Sequence, residues 1–191
     1  MTALEQLVSN TNFTHSRNVA RISKIIADKA GYTAQEASEI EQAALLHDVG
    51  KTSIPTDILN KQGKLTTEEY AVIKTHTEAG REQIMETIKT LLISAAVAGS
   101  HHERLDGSGY CQMPGSVINH KVRLIAVADV FDALVSRRSY KDPWDVSDVV
   151  SYLTNNSALF DHSIVQLLIA MLGEIMFVYS SAPIMDSVCG G

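Results

Sequence analysis

The chain has 191 residues, of which 45% are apolar and 20% charged, and a formal net charge of -6. That balance fits one folded globular core and excludes a nucleic-acid polymer as ligand, because a polymer-binding face must replace counterions with Lys and Arg. No apolar run approaches the roughly 20 residues that span a bilayer, and Met1-Thr2-Ala3-Leu4-Glu5 is not a basic start to an apolar segment, so a cytoplasmic protein with no membrane span and no signal peptide is expected.

In chain order, Val19, Ile22, Ile25 and Ile26 recur at helical spacing and predict an amphipathic helix over 17–30, with Gly31 as its C-terminal cap. Thr33 and Glu36 form a capping-box pattern that opens a second helix toward His47, with a stop near Gly50. Pro55 and Asn60-Lys61-Gln62-Gly63 mark a break, Thr66 and Glu69 can cap the next helix, and another is expected over 78–87. Residues 90–100 are small and apolar all round, the composition of a helix buried inside a bundle. A glycine-rich loop then runs over 103–119. Helices are predicted over 122–135, 145–155 and 163–172, and the last stretch, 174–191, is ambiguous. The expected fold is all-α, a bundle of about seven to nine helices. A catalytic domain over 1–172 and a C-terminal extension over 173–191 are expected.

Some polar residues stand where burial would penalise them. His47-Asp48 closes an apolar helix, and His101-His102 follows another. Adjacent imidazoles and carboxylates are the usual ligands of divalent transition metals. A capped helix end is the plain alternative for His47-Asp48. His15 and His76 stand where helices begin and can converge on one end of the bundle. Asp129 lies among Val127, Ala128, Val130 and Phe131, where a carboxylate needs a cation, either a metal or an arginine. His120 and His162 read as surface histidines. Cys111 and Cys189 have no CxxC spacing and are expected as reduced thiols; no base stands beside Cys111 to make it a nucleophile.

Taken together, His15-Ser16-Arg17, His47-Asp48-Val49-Gly50-Lys51, Lys74-Thr75-His76, His101-His102-Glu103-Arg104-Leu105-Asp106-Gly107-Ser108-Gly109-Tyr110 and Ala128-Asp129-Val130-Phe131-Asp132-Ala133-Leu134 resemble the successive motifs of the HD-GYP phosphodiesterases. The resemblance runs over about residues 13 to 165. It implies a helical, metal-dependent phosphohydrolase of the HD superfamily that hydrolyses cyclic di-GMP to pGpG and/or GMP. It implies that His15, His47, Asp48 and Asp129 hold one ion, and that Asp48 bridges to a second held by His76, His101 and His102. Lys51 then becomes a candidate for contacting the scissile phosphate or a metal-bound hydroxide; as a bare sequence feature it is also a solvated charge favoured at a helix C-terminus.

Arg137-Arg138-Ser139-Tyr140-Lys141 resembles the family's phosphate-clamping segment, which makes Arg138 and Lys141 phosphate contacts and puts Tyr140 close to them. A solvated basic turn is the alternative. Tyr110 is expected at the substrate. Five histidines and two aspartates suit iron or manganese better than magnesium, with zinc compatible.

The match departs at Gly109-Tyr110-Cys111, where the family has proline after the tyrosine. Losing proline frees a backbone angle and restores an N–H, so a looser or reshaped loop is expected. Thr11 stands where some members carry the glutamate of a third ion, so two ions are expected. The family's usual N-terminal receiver or sensor domain is not recognised in this sequence, so a sensor protein or diguanylate cyclase is expected as a regulatory partner unless the sequence is a piece of a longer chain. A second reading is a degenerate member that binds a cyclic nucleotide, or docks on a signalling protein, without hydrolysis.

Overall fold

In a computed structural model of the protein, the described residues are Leu7, 13–137 and 142–180. Ten α-helices are found among them: α1 (Phe13–Lys29), α2 (Ala34–Leu45), α3 (Thr56–Leu59), α4 (Thr67–Lys74), α5 (His76–Thr87), α6 (Leu92–Ser100), α7 (His120–Val135), α8 (Val146–Asn155), α9 (His162–Ala170) and α10 (Leu172–Ser180). Nine run for two turns or more and α3 is a single turn, so the all-α bundle expected from sequence is the fold. No strand occurs among the described residues.

Local chemistry sets several helix ends. Thr33 and Glu36 cap α2 reciprocally, each side chain meeting the other's backbone N–H, and Thr66 and Glu69 do the same for α4. Gly31 takes φ +84° after α1, a left-handed turn that glycine adopts without steric penalty. The helix expected over 90–100 forms, but it is not buried all round: Ser94, Ala95, Val97 and Ala98 face inward, whereas Leu92 is 62% exposed. Small side chains let α6 lie close against α2 and α5 on one side without requiring cover on the other.

The bundle has two apolar clusters. The larger joins Val19, Ile22 and Ile26 of α1, Ile40, Ala43 and Ala44 of α2, Leu124, Val127 and Phe131 of α7, and residues of α8 to α10. The smaller is made by Leu7, Leu46, Val49, Ile84, Ala95 and Ala98. The chain crosses between them at Ala44–Leu46 and at Val97–Ala98, just before His47-Asp48 and His101-His102. Both polar pairs therefore emerge at the seam of the two clusters. The segment that was ambiguous in sequence forms α10 as far as Ser180, with Ile175 buried in the larger cluster; residues 181–191, including Cys189, lie outside the described residues.

No single described helix is long and apolar enough to cross a membrane. The bent pair α9 and α10 has the composition for it, but Ile164, Val165, Leu168 and Ile175 are spent on the core.

Candidate metal centre

His47 and Asp48 follow the capped end of α2, and the chain then turns through a 3-10 helix over Val49–Ser53 that packs against α5. Gly50 permits that approach. A Cβ there would lie 2.0 Å from the His76 carbonyl oxygen and 2.4 Å from the Gly80 nitrogen, so only a residue without a side chain lets Asp48 reach His76. His76 is the first residue of α5, His101-His102 directly follow α6, His15 lies in the first turn of α1, and Asp129 faces inward from α7.

All seven residues converge as two groups: His15, His47 and Asp129 in one, and Asp48, His76, His101 and His102 in the other, with ligand atoms in each within 4.8 Å of one another. Asp48 stands between them. Its Oδ2 lies 3.2 Å from His47 Nε2 and 3.9 Å from His15 Nε2, and its Oδ1 lies 3.5 Å from His76 Nε2 and 3.6 Å from His101 Nε2. Asp129 Oδ1 is 3.1 Å from His15 Nε2 and 3.8 Å from His47 Nε2. Among the described residues, the partners of Asp129 are two imidazoles rather than an arginine.

The hydrogen bonds set the tautomers. His47 Nδ1 donates to Ala44 O at 2.7 Å, His76 Nδ1 to Ile73 O at 2.6 Å, His101 Nδ1 to the carbonyls of Val97 and Ala98, and His15 Nδ1 to Asp132 Oδ2 at 2.6 Å. A neutral imidazole that donates from Nδ1 presents a lone pair at Nε2. His76 Nε2 and His101 Nε2 face each other at 3.5 Å, so with both rings neutral they are two acceptors with no proton to share. His47 Nε2 and Asp48 Oδ1 are buried without any hydrogen-bond partner. Orphaned buried acceptors of this kind are destabilising, and a cation between them removes the penalty. This His/Asp cluster is compatible with divalent metal ions.

The electrostatics agree. Burial works against charge on Asp48, but His47 and Lys51 beside it hold its carboxyl well below the usual range. Asp129 is likewise held low against burial by the bond from His15 and the neighbouring His47. Burial and the nearby His101 push His76 down to about 4 and His102 down to about 2, so both remain neutral donors of lone pairs at pH 7. At His15 burial pulls down, but bonds to Asp129 and Asp132 outweigh it and raise the ring to about 9. The carboxylates there attract positive charge.

A cavity of about 190 Å³ opens over the cluster, lined by His15, Asp48, Lys51, His102, Arg104, Asp129 and apolar residues of α7. Lys51 Nζ is 2.6 Å from Asp48 Oδ2. Arg104, which sequence analysis did not single out, adds a second cation; its Nη1 bonds the carbonyls of His101 and Glu103, and its guanidinium lies 5.4 Å from the Phe160 ring. Its place right after His102-Glu103 was the available signal. Tyr110 stacks on His102, with ring centroids 4.4 Å apart at 30°, and meets Tyr70 edge-on; it is not among the residues lining the cavity. Asp132 was a second carboxylate one turn beyond Asp129 in an apolar helix, and it is the partner that orients His15. His120 and His162 are exposed. Cys111 is a free, exposed thiol that burial and Glu103 push up, which suits no nucleophile. Arg138, Tyr140, Lys141 and Thr11 lie outside the described residues.

A family profile described as an HD domain matches residues 2–164. The chain belongs to the HD-domain family. Among HD-domain relatives it is 38% identical over 172 residues to the 3'3'-cGAMP-specific phosphodiesterase 2 of Vibrio cholerae, a match covering 88% of this chain and 33% of that protein. It is 39% identical over 170 residues to the cyclic di-GMP phosphodiesterase response regulator RpfG of Xanthomonas campestris, covering 86% of this chain and 45% of that one. The chain thus spans less than half the length of these relatives. A solved HDG"Y"P protein of Bdellovibrio bacteriovorus superposes with a TM-score of 0.68 at 20% identity, over 83% of this chain and 51% of that one, a likeness of HD-domain fold.

Proposed function

We propose that the protein is a metal-dependent phosphodiesterase that hydrolyses a guanine-containing cyclic dinucleotide, cyclic di-GMP first, to linear pGpG and/or GMP. The observation that carries the reading is Asp48, whose two oxygens each face one group of histidines. In this reading His15, His47, Asp129 and Asp48 would hold one ion, and His76, His101 and His102 would hold the other together with Asp48. Seven residues that offer five imidazole nitrogens and three carboxylate oxygens favour iron or manganese over magnesium, with zinc compatible. When bound, two divalent ions lower the pKa of an attacking water and neutralise charge on the phosphoryl oxygens.

The chain's own residues supply position and charge. Lys51 and Arg104 line the cavity, where they attract and orient a phosphodiester that the rest of an acidic surface would repel. In this reading the scissile phosphate enters the cavity and the bases lie at its rim. Tyr110 beside His102, and Arg138, Tyr140 and Lys141 after α7, are proposed contacts for the parts left outside. The relatives named for cyclic di-GMP and for 3'3'-cGAMP act on ligands that share a guanylyl phosphodiester, which supports this substrate class. We place α10 in the catalytic unit, since Ile175 and Tyr179 pack into it, and propose a sensor protein or diguanylate cyclase as a protein partner.

Metal-free protein titrated with Fe²⁺, Mn²⁺ and Zn²⁺ should take up two ions per chain, and the loaded protein should linearise cyclic di-GMP, with 3'3'-cGAMP run in parallel. Failure to bind ions overturns the reading. Tight cyclic-dinucleotide binding without hydrolysis under all three metals overturns it in favour of a non-hydrolytic binding module.

A further inference from the structure

Asp132 is fully buried, and four side chains donate to it. Its Oδ2 accepts from His15 Nδ1 at 2.6 Å. Its Oδ1 accepts from Asn18 Nδ2 at 2.9 Å, Ser136 Oγ at 3.1 Å and the Tyr179 hydroxyl at 2.8 Å. Three donors on one oxygen fix the carboxylate plane and leave the other oxygen to His15. Burial and the Asp132 carboxylate push the Tyr179 hydroxyl up, so it stays protonated and keeps donating. Tyr179 comes from α10, beyond the last residue matched by the family profile.

We infer that Tyr179, acting through Asp132, is a positioning residue for the ion held by His15, His47 and Asp129, which makes α10, the last of the described helices, a part of the metal centre. This rests on the two-ion reading above. The carboxylate holds the proton on His15 Nδ1 and aims Nε2 at Asp129 and Asp48; Tyr179 holds the carboxylate. Outer partners of metal-bound histidines typically matter by about 10- to 100-fold in affinity.

Two isosteric variants of the full chain separate the roles. Tyr179→Phe keeps the ring and deletes one of three bonds to Oδ1. Asp132→Asn does more: its amide oxygen must serve the three donors, so its NH₂ faces His15 Nδ1, which then accepts and carries its proton on Nε2 where the ion should sit. Metal-free wild type and both variants are titrated with Co²⁺ against a chromophoric chelator, with the visible Co²⁺ bands recorded for each equivalent. The expected result is two equivalents in wild type, one of them weakened about 10-fold with altered bands in Tyr179→Phe, and one equivalent in Asp132→Asn. The remaining equivalent should keep its wild-type affinity in both variants. Two equivalents with unchanged affinities and bands in Tyr179→Phe overturn the inference while leaving the two-ion reading intact. Parallel loss of both equivalents together with helical circular dichroism also overturns it, as a merely structural role. Wild type that binds no Co²⁺ removes the two-ion reading and the inference with it.

Discussion

Cys111 donates its backbone N–H to Glu103 Oε1 at 2.8 Å, and Met113 donates to Oε2 at 2.9 Å. Glu103 is buried, and its carboxylate pins the loop that carries Tyr110 from the inside. Gly109 lets the loop close on it, since a Cβ there would fall 2.5 Å from Glu103 Cα. The N–H restored by the absence of proline is therefore used, and of the looser or reshaped loop expected from sequence, the structure shows one tied down at that residue.

Cys111→Pro should consequently destabilise the protein. It removes one of two backbone donors to a buried carboxylate, a loss of roughly 1–3 kcal/mol, read as a lower urea midpoint at unchanged slope. Cys111→Ala keeps the N–H and discards only an exposed thiol, so stability and turnover should stay within about twofold of wild type. A large activity loss in Cys111→Ala would give the thiol a chemical role that this structure does not support.

Gly50→Ala tests the seat of Asp48. The added methyl meets the backbone of His76 and Gly80 rather than a movable side chain, so the 3-10 turn must retreat from α5. Overpacking of this kind destabilises by about 1–3 kcal/mol. The retreat also draws Asp48 from His76 and His101, so affinity for one ion should fall together with stability, measured by denaturation and by metal titration of the same preparation.

The shared position of Asp48 makes a sharper comparison. Asp48→Ala should lower the metal content below one equivalent, because each group loses an oxygen, whereas His102→Ala touches one group and should leave about one equivalent. Both should reduce turnover by several kcal/mol of lost transition-state stabilisation, about 10³-fold or more. Metal analysis of protein purified without added metal, followed by steady-state assay, checks both. Equal metal content in the two variants would separate Asp48 from any bridging role.

How much of this was legible in sequence follows from distance along the chain. Thr33 and Glu36, or Thr66 and Glu69, stand three residues apart, and their caps depend on nothing else. His47-Asp48 and His101-His102 were conspicuous because each polar pair ends an apolar helix. The division of labour between the Asp48 oxygens was not legible, since it depends on how Gly50 lets two segments meet. Nor was the bond from Tyr179 to Asp132, or from His15 to Asp132 across 117 residues, because packing alone brings those side chains together. The face of α6 that carries Leu92 looked buried because small apolar residues carry no period to say which side is covered.

Lys51 separates charge from packing at the cavity. Its ammonium bonds Asp48 Oδ2 and its side chain is a third exposed, so it can serve Asp48 and an incoming phosphate in turn. Lys51→Met keeps the length of the stem and deletes the charge. If the lysine orients the scissile phosphate, kcat/KM should fall about 10- to 100-fold, the effect of one charge-assisted hydrogen bond of roughly 1.5–3 kcal/mol, while two ions remain bound. If it only neutralises Asp48, metal affinity should rise, because removing a competing cation frees Oδ2, and kcat/KM at saturating metal should hardly change. Metal titration and steady-state kinetics on the one variant distinguish the outcomes, and unchanged values in both would remove Lys51 from the site.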